Sequence, residues 1–393
     1  MARWPYGNVG AYKVEMYILK NKFYIVIVFL FDLIGTVVTT PFRLFRTHMP
    51  KDIKKILVIR LDHIGDLIFS TPTFRTIKKT YPEVKLDILV SRHNKDIVKN
   101  SPFIDEIMTY DAPWFKRKDK RLIKLKEFIR LIRALRKERY DIGIDLRGDL
   151  RHIILMYAAG IKYKLGYGIT GGGFLLDKEI SYFSADHEIE HNLNLLKAIG
   201  IESEYKKTEF FVSDEDRNFA ENFCSENRLK PEDFIVCLHP GAGYPSKRWI
   251  SKRWAQLIDR LAQEFKAKVI IAGTKEDKVI ADNIKKMIGT KVVDAIGKTS
   301  LGKLAALLKK AKLFIGTDSG PSHIASAMGI PSVILYSGTN DSKQWAPLGK
   351  KIYVIQKDVP CKGCEKLKCA NNICMDLITV DEVFDAAKTV VSL

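Results

Sequence analysis

Four short stretches of this chain gather residue types that can bind an anion or move a proton. In residues 316–323, GTDSGPSH, Asp318 and Ser319 are favoured helix N-caps and Pro321 suits a first helical turn. A helix is therefore expected from Ser322 to Met328, stopped by Gly329 and Pro331, after a short strand from Lys312 to Ile315. The backbone N–H groups of Ser319, Gly320, Ser322 and His323 would then emerge at a helix start, where a phosphate group is well received. In residues 239–248, HPGAGYPSKR, Gly241 and Gly243 allow close backbone approach to a phosphate, and Lys247 or Arg248 can neutralise it. Residues 272–278, AGTKEDK, supply a third loop at a strand end. In residues 60–66, RLDHIGD, Asp66 sits at a strand-to-helix junction. A carboxylate there favours the helix dipole and can also act as a general base, with His63 as a second candidate. None of these loops is G-x-G-x-x-G or a P-loop, so neither a dehydrogenase nor a P-loop ATPase is indicated.

Cysteine use is uneven. Cys224 and Cys237 stand alone in stretches that read as core, while Cys361, Cys364, Cys369 and Cys374 crowd into one loop. Four thiolates can hold zinc, but the spacing is not that of two C-x₂-C pairs, so a structural metal, disulfides and free thiols all remain open.

The elements that must carry these loops alternate in βα fashion. From Lys55 a strand Ile56–Ile59, a helix from Leu67 to about Tyr81, and strands Leu86–Val90, Glu106–Tyr110 and Tyr140–Leu146 follow in order. A helix His187–Ile199 closes this half, and a charged stretch places a boundary near residues 200–210. The alternation then restarts with strands Phe234–Leu238, Lys268–Ala272, Lys291–Asp294 and Ser332–Tyr336, separated by helices Ser251–Phe265, Lys278–Met287 and Leu301–Lys309, with a closing helix Asp376–Val391. This pattern predicts two parallel-sheet domains in which loops distant in sequence converge at strand carboxyl ends. The expected division is residues 1–50, 51–205 and 206–393.

Before the first strand, Phe23 to Val38 is an apolar run interrupted by Asp32, shorter than the roughly 20 residues needed to span a bilayer. Lys20, Lys22, Arg43 and Arg46 flank it, and no A-x-A-like site follows to suggest a signal peptide. An interfacial segment, a span and a buried helix are the alternatives, the central Asp weighing against a span. Residues Lys116 to Arg139 read as a basic amphipathic helix, packed on the sheet or turned toward anionic lipid. The chain of 393 residues carries a formal charge of +19, which calls for nucleic acid, an anionic membrane or phosphorylated ligands as partners. The basic helix lacks the interleaved aromatics of a single-strand groove, so nucleic acid is not expected.

In this order and spacing, RLDHIGDLIFSTPTFRTIK, YDIGIDLRG, HPGAGYPSKRW and GTDSGPSHIASAMGIP resemble glycosyltransferase family 9, the ADP-heptose:lipopolysaccharide heptosyltransferases. The resemblance implies a GT-B architecture, with two Rossmann-like domains facing a cleft, here preceded by an N-terminal apolar membrane-associated helix. It implies inverting transfer with no required cofactor, from ADP-heptose to an anionic lipid-linked acceptor at the cytoplasmic face of the inner membrane. By position, Asp66 resembles the general base and Lys247 the lysine on the donor diphosphate. Gly241, Gly243, Asp318, Ser319, Gly320 and His323 fall on the donor side, Thr299 beside adenine, and Glu276 nearest the ribose contact. Arg60, His63 and Arg147 are candidates for the acceptor, the arginines equally for pairing with neighbouring carboxylates. The rival readings are a transferase of another sugar, a sugar-nucleotide epimerase, and an inactive basic protein that binds membrane or nucleic acid.

Overall fold

The computed structural model describes residue 17 and residues 21–41, 48–112 and 125–392. Lys20, Arg43 and Arg46, and the first part of the expected helix from Lys116, lie outside the described residues, as does the side chain of Lys22. The chain divides into two compact units. One comprises residues 1–62, 69–95 and 102–206, and the other residues 63–68, 96–101 and 207–393. Two short segments of the N-terminal half, residues 63–68 and 96–101, pack with the second unit.

Each unit is built on a six-stranded parallel sheet. The first contains β1 (Lys55–Arg60), β2 (Lys85–Val90), β3 (Glu106–Thr109), β4 (Ile142–Asp145), β5 (Tyr163–Gly166) and β6 (Lys178–Glu179), in the order β3-β2-β1-β4-β5-β6. The second contains β7 (Ile235–His239), β8 (Lys268–Gly273), β9 (Val293–Ile296), β10 (Leu313–Thr317), β11 (Ser332–Tyr336) and β12 (Ile352–Gln356), in the order β12-β11-β10-β7-β8-β9. Both are the Rossmann order, whose topological switch points lie between β1 and β4 and between β7 and β10. The central strands β1, β4, β7, β10 and β11 are buried almost end to end, as expected for a sheet covered on both faces. In the second unit the helix Ser251–Phe265 turns Trp254, Leu257, Ile258 and Leu261 inward at helical spacing, onto Val236, Leu238 and Val269 of the sheet core.

Several element bounds differ from the sequence expectation for local reasons. The helix expected from Leu67 is two helices, Ile64–Phe69 and Thr71–Thr80, with Pro72 opening the second. The helix after β10 begins at Gly320 and ends at Ala327. β5, β6 and β12 were not expected from the sequence; β5 and β6, four and two residues long, carry little periodic signal.

The apolar N-terminal run is an 18-residue helix, Lys22–Thr39. Among the described residues no helix is long and apolar enough to cross a membrane.

Candidate active site

The second switch point assembles the anion-binding loops. Gly316 of β10 is in register with His239 of β7, so the loops that follow these two strands start side by side. The Thr317 hydroxyl donates to the Gly241 carbonyl and binds one loop to the other. A Cβ on Gly241 would lie 2.2 Å from Asp277 Oδ1, so only glycine lets the 239–247 loop pass the Asp277 carboxylate. Asp277 is itself fixed by a capping box, accepting from the Thr274 N–H at 2.9 Å and the Thr274 hydroxyl at 2.8 Å.

Lys247, in the one-turn helix Pro245–Lys247, forms an ion pair with Asp318. Both side chains are nearly buried, 13% and 7% exposed. In the orientation that satisfies both ends of its amide, Asn340 accepts from Lys247 Nζ at 2.9 Å and donates to the Thr339 carbonyl at 3.2 Å. Gln356 of β12 holds that loop by donating to the Ser337 and Asn340 carbonyls at 2.8 and 2.7 Å. Tyr336 is buried beneath the pair and donates to the Trp345 carbonyl at 2.9 Å. Burial, then the Asp318 and Asp66 carboxylates, push its hydroxyl well above the ordinary tyrosine range, so it stays protonated. The three groups therefore share one electrostatic neighbourhood.

Asp66 reaches this neighbourhood because residues 63–68 pack with the second unit. It lies in the first turn of the helix Ile64–Phe69, is 8% exposed, and accepts from the His63 N–H at 3.3 Å. The contact is close: a Cβ on Gly65 would meet the His323 ring at 2.8 Å, and one on Gly320 would meet Ile64 at 2.9 Å. Gly65, next to Asp66, is thus packed against the His323 ring, whereas the imidazole of His63 is exposed.

The helix start at Gly320 differs from expectation in one respect. Ser322 N–H donates to the Ser319 carbonyl at 3.1 Å, so it does not face outward as a phosphate donor. The Ser319 hydroxyl turns back to the Thr317 carbonyl and lies 3.2 Å from His239 Nδ1. Burial lowers the pKa of His239 against the opposing pull of Asp277, so its ring is neutral. Glu276 is exposed on the turn Lys275–Asp277, and Thr299 is half-buried two residues beyond Gly297, which has a φ of +69°. Gly243 lies on the same loop as Gly241.

In the first unit Arg60 is enclosed, 2% exposed, and its guanidinium engages Asp62 at 2.8 Å, Glu188 at 2.7 Å and the Leu146 carbonyl at 2.8 Å. Of the two readings for Arg60, its contacts are those of carboxylate pairing. Arg147 bonds Asp62 at 2.7 Å but keeps a third of its side chain in solvent.

The cysteine loop is corrected. All six cysteines are free thiols, and among the described residues no group of His, Cys, Asp or Glu is placed to hold a metal ion, so the zinc reading for Cys361, Cys364, Cys369 and Cys374 is not supported. The loop instead braces the site from behind. Ser246, beside Lys247, donates to the Lys366 carbonyl at 2.6 Å, and Gly363 N–H donates to the Gly338 carbonyl at 2.7 Å.

Sequence reasoning missed Asp277, Thr317, Tyr336 and Asn340. The T-x-x-D spacing of the capping box could have singled out Asp277; the other three read only as strand ends and loop.

Residues 128–374 match glycosyltransferase family 9 (heptosyltransferase). The chain is 29% identical over 300 residues to lipopolysaccharide heptosyltransferase 3 of Escherichia coli K12, covering 73% of this chain and 83% of that protein. It is 24% identical over 316 residues to lipopolysaccharide heptosyltransferase 2 of the same strain, covering 77% and 88%. Its fold is similar to a family 9 glycosyl transferase from Veillonella parvula, with a TM-score of 0.75 at 23% identity over 88% of this chain and 99% of that one. It is also similar to the E. coli ADP-heptose lps heptosyltransferase II, with a TM-score of 0.71 at 22% identity over 86% and 98%. With two Rossmann-like units, paired anion loops at a switch point and a family match over more than half its length, this chain belongs to glycosyltransferase family 9, the heptosyltransferase family, and is a glycosyltransferase.

Proposed function

We propose that the enzyme transfers heptose, with inversion, from ADP-heptose to a lipopolysaccharide core or other anionic lipid-linked glycan at the cytoplasmic face of the inner membrane. The observation that carries this reading is the near-buried Lys247–Asp318 pair, with Asn340, in the same unit as Asp66. The names of the relatives support heptose and lipopolysaccharide as the substrate class.

In this reading the Asp66 carboxylate takes the proton of an acceptor hydroxyl as its oxygen bonds to the anomeric carbon. The bond from that carbon to the diphosphate breaks on the opposite face, and its electron pair leaves on the terminal phosphate of ADP. Lys247 meets the charge that grows there, in surroundings where water screens little, and such a contact contributes a few kcal/mol. The ammonium supplies the positive charge that a divalent cation can provide elsewhere, so transfer is expected to persist in chelator. Arg147, the partly exposed arginine, is the acceptor-side candidate, with His63. Gly241, Gly243, Glu276, Thr299, Ser319, Gly320 and His323 remain donor-side assignments; Asp318, placed on the donor side with them, is the carboxylate that Lys247 pairs with until the diphosphate arrives.

Mass spectrometry of products from a panel of sugar nucleotides with a core glycolipid tests the substrate class. Heptose incorporation from ADP-heptose, reduced about 10²- to 10⁴-fold by Asp66→Asn, is expected. Transfer of another sugar in preference would overturn the donor assignment, and wild-type turnover by the variant would overturn the base.

A further inference from the structure

The helix Lys22–Thr39 is inside out for a helix on an aqueous surface. Its half-buried positions are Ile25, Val28, Asp32, Gly35, Thr36 and Thr39, a stripe at spacings of three and four that contains its aspartate, both its threonines and its glycine. Its exposed positions from Phe23 to Val38 carry no charge at all; Phe23, Ile34 and Val37 are 69%, 62% and 65% exposed, and Phe29, Leu30 and Leu33 47%, 49% and 49%.

The polar stripe is docked on the first unit. Asp32 Oδ1 accepts from the Gly172 N–H at 2.7 Å, and Oδ2 accepts from the Tyr17 hydroxyl at 2.8 Å. Gly171 and Gly172 have φ of +100° and +83°, and a Cβ on Gly171 would meet Val28 at 2.6 Å. A Cβ on Gly35 would meet the Phe174 ring at 2.3 Å, and Phe31 packs edge-on against that ring at 5.2 Å. Glycines on both sides of the contact thus let helix and turn approach closely, and the carboxylate that would burden a free apolar helix is used to hold the turn.

We propose that this helix lies in the plane of an anionic lipid bilayer, its apolar faces immersed, with Asp32 as the latch that ties the lipid-bound helix to the Gly171–Gly172 turn. Three observations select lipid as the occupant. The apolar exposure wraps most of the circumference, more than a groove in one protein partner covers. Basic residues at 20, 22, 43 and 46 flank the helix's apolar run, residues 23–38, in sequence, complementary to anionic headgroups. At 18 residues the helix is about 27 Å long, under the roughly 30 Å of a hydrocarbon core, and its latched stripe must stay on protein, so it lies in the interface and does not cross. This deepens the proposed action at a membrane but does not require the donor to be ADP-heptose.

The test uses the full chain and vesicles of phosphatidylethanolamine and phosphatidylglycerol, with phosphatidylcholine vesicles for comparison. Wild type should float with the anionic vesicles, and F29S/L30S/L33S should lower partition at least about 10-fold while far-UV circular dichroism stays unchanged. Unchanged flotation of that variant, or a stable dimer that covers the helix and does not float, would overturn lipid as the occupant. Asp32→Ala should still float, yet raise amide hydrogen exchange of the peptide spanning residues 169–175 by about 10-fold, and Asp32→Asn, which keeps an acceptor oxygen, should restore protection. Exchange unaltered by Asp32→Ala would overturn the latch. No readout involves sugar transfer, so an enzyme that rejected ADP-heptose would leave these outcomes intact.

Discussion

Replacing Lys247 by Met removes one charge from a pair whose members are 13% and 7% exposed, leaving Asp318 as an enclosed carboxylate. Breaking a buried pair in this way costs about 3–5 kcal/mol. The lower end is expected here, because the Asn340 amide can rotate to offer Nδ2 to Asp318, 3.4 Å away in that orientation. Adding Asp318→Asn removes the stranded charge, so K247M/D318N should recover at least about 1.5 kcal/mol relative to the sum of the two single changes. Urea unfolding followed by tryptophan fluorescence reads this, since Trp249 and Trp254 are buried in the core of the same unit. Calorimetry with ADP supplies the functional half. K247M should lose about 1.5–3 kcal/mol of binding, the worth of a charge-assisted hydrogen bond. D318N should bind ADP at least as tightly as wild type, because Asp318 otherwise competes with the diphosphate for the ammonium. Strict additivity in urea would refute the pair, and loss of ADP affinity in D318N equal to that in K247M would refute the competition.

Three further outcomes follow from the same geometry. Gly65→Ala places a Cβ 2.8 Å from the His323 ring, and the forced shift beside Asp66 should lower kcat about 10- to 100-fold, with a smaller loss of ADP affinity through the displaced His323, read by steady-state kinetics and calorimetry. Burial holds the folded pKa of His239 below its ordinary 6.5, so the unfolded chain binds the extra proton first; stability should be level above pH 6.5 and fall below it, by up to about 1.4 kcal/mol per pH unit, and His239→Gln should flatten that slope in pH-dependent urea titrations. Arg60→Met strands Glu188 and weakens the hold on Asp62, which should cost about 3 kcal/mol or more, partly restored by Glu188→Gln in denaturant titrations.

Much of the fold was readable along the chain because its signals are local. Runs such as ILVI at 56–59 and SVILY at 332–336 are apolar on both faces, which only a covered parallel strand tolerates in so short a segment. The glycine at 241 and the Asp-Ser-Gly-Pro turn at 318–321 likewise announced where an anion could sit. Arg60 could not be placed from sequence, since a lone arginine beside a strand reads as a solvent or ligand contact until Glu188, 128 residues away, is seen to enclose it. The helix Lys22–Thr39 was readable as apolar, but which side it would turn to the protein depended on the Gly171–Gly172 turn.

What the sequence determined alone, then, was the set of chemical parts: the βα alternation, the glycine loops, Asp66, Lys247 and the apolar leading helix. What tertiary structure alone decided was their pairing. Lys247 meets Asp318, 71 residues on, because strand order sets β7 beside β10, and hydrogen-bond register then aligns the two loops. Asp66 joins them because glycines at 65 and 320 leave no Cβ to hold residues 63–68 away from the helix start at Gly320. Sequence patterns report the covering of each strand one residue at a time. Charge pairing and close approach are properties of distances that exist only once the sheet is closed over.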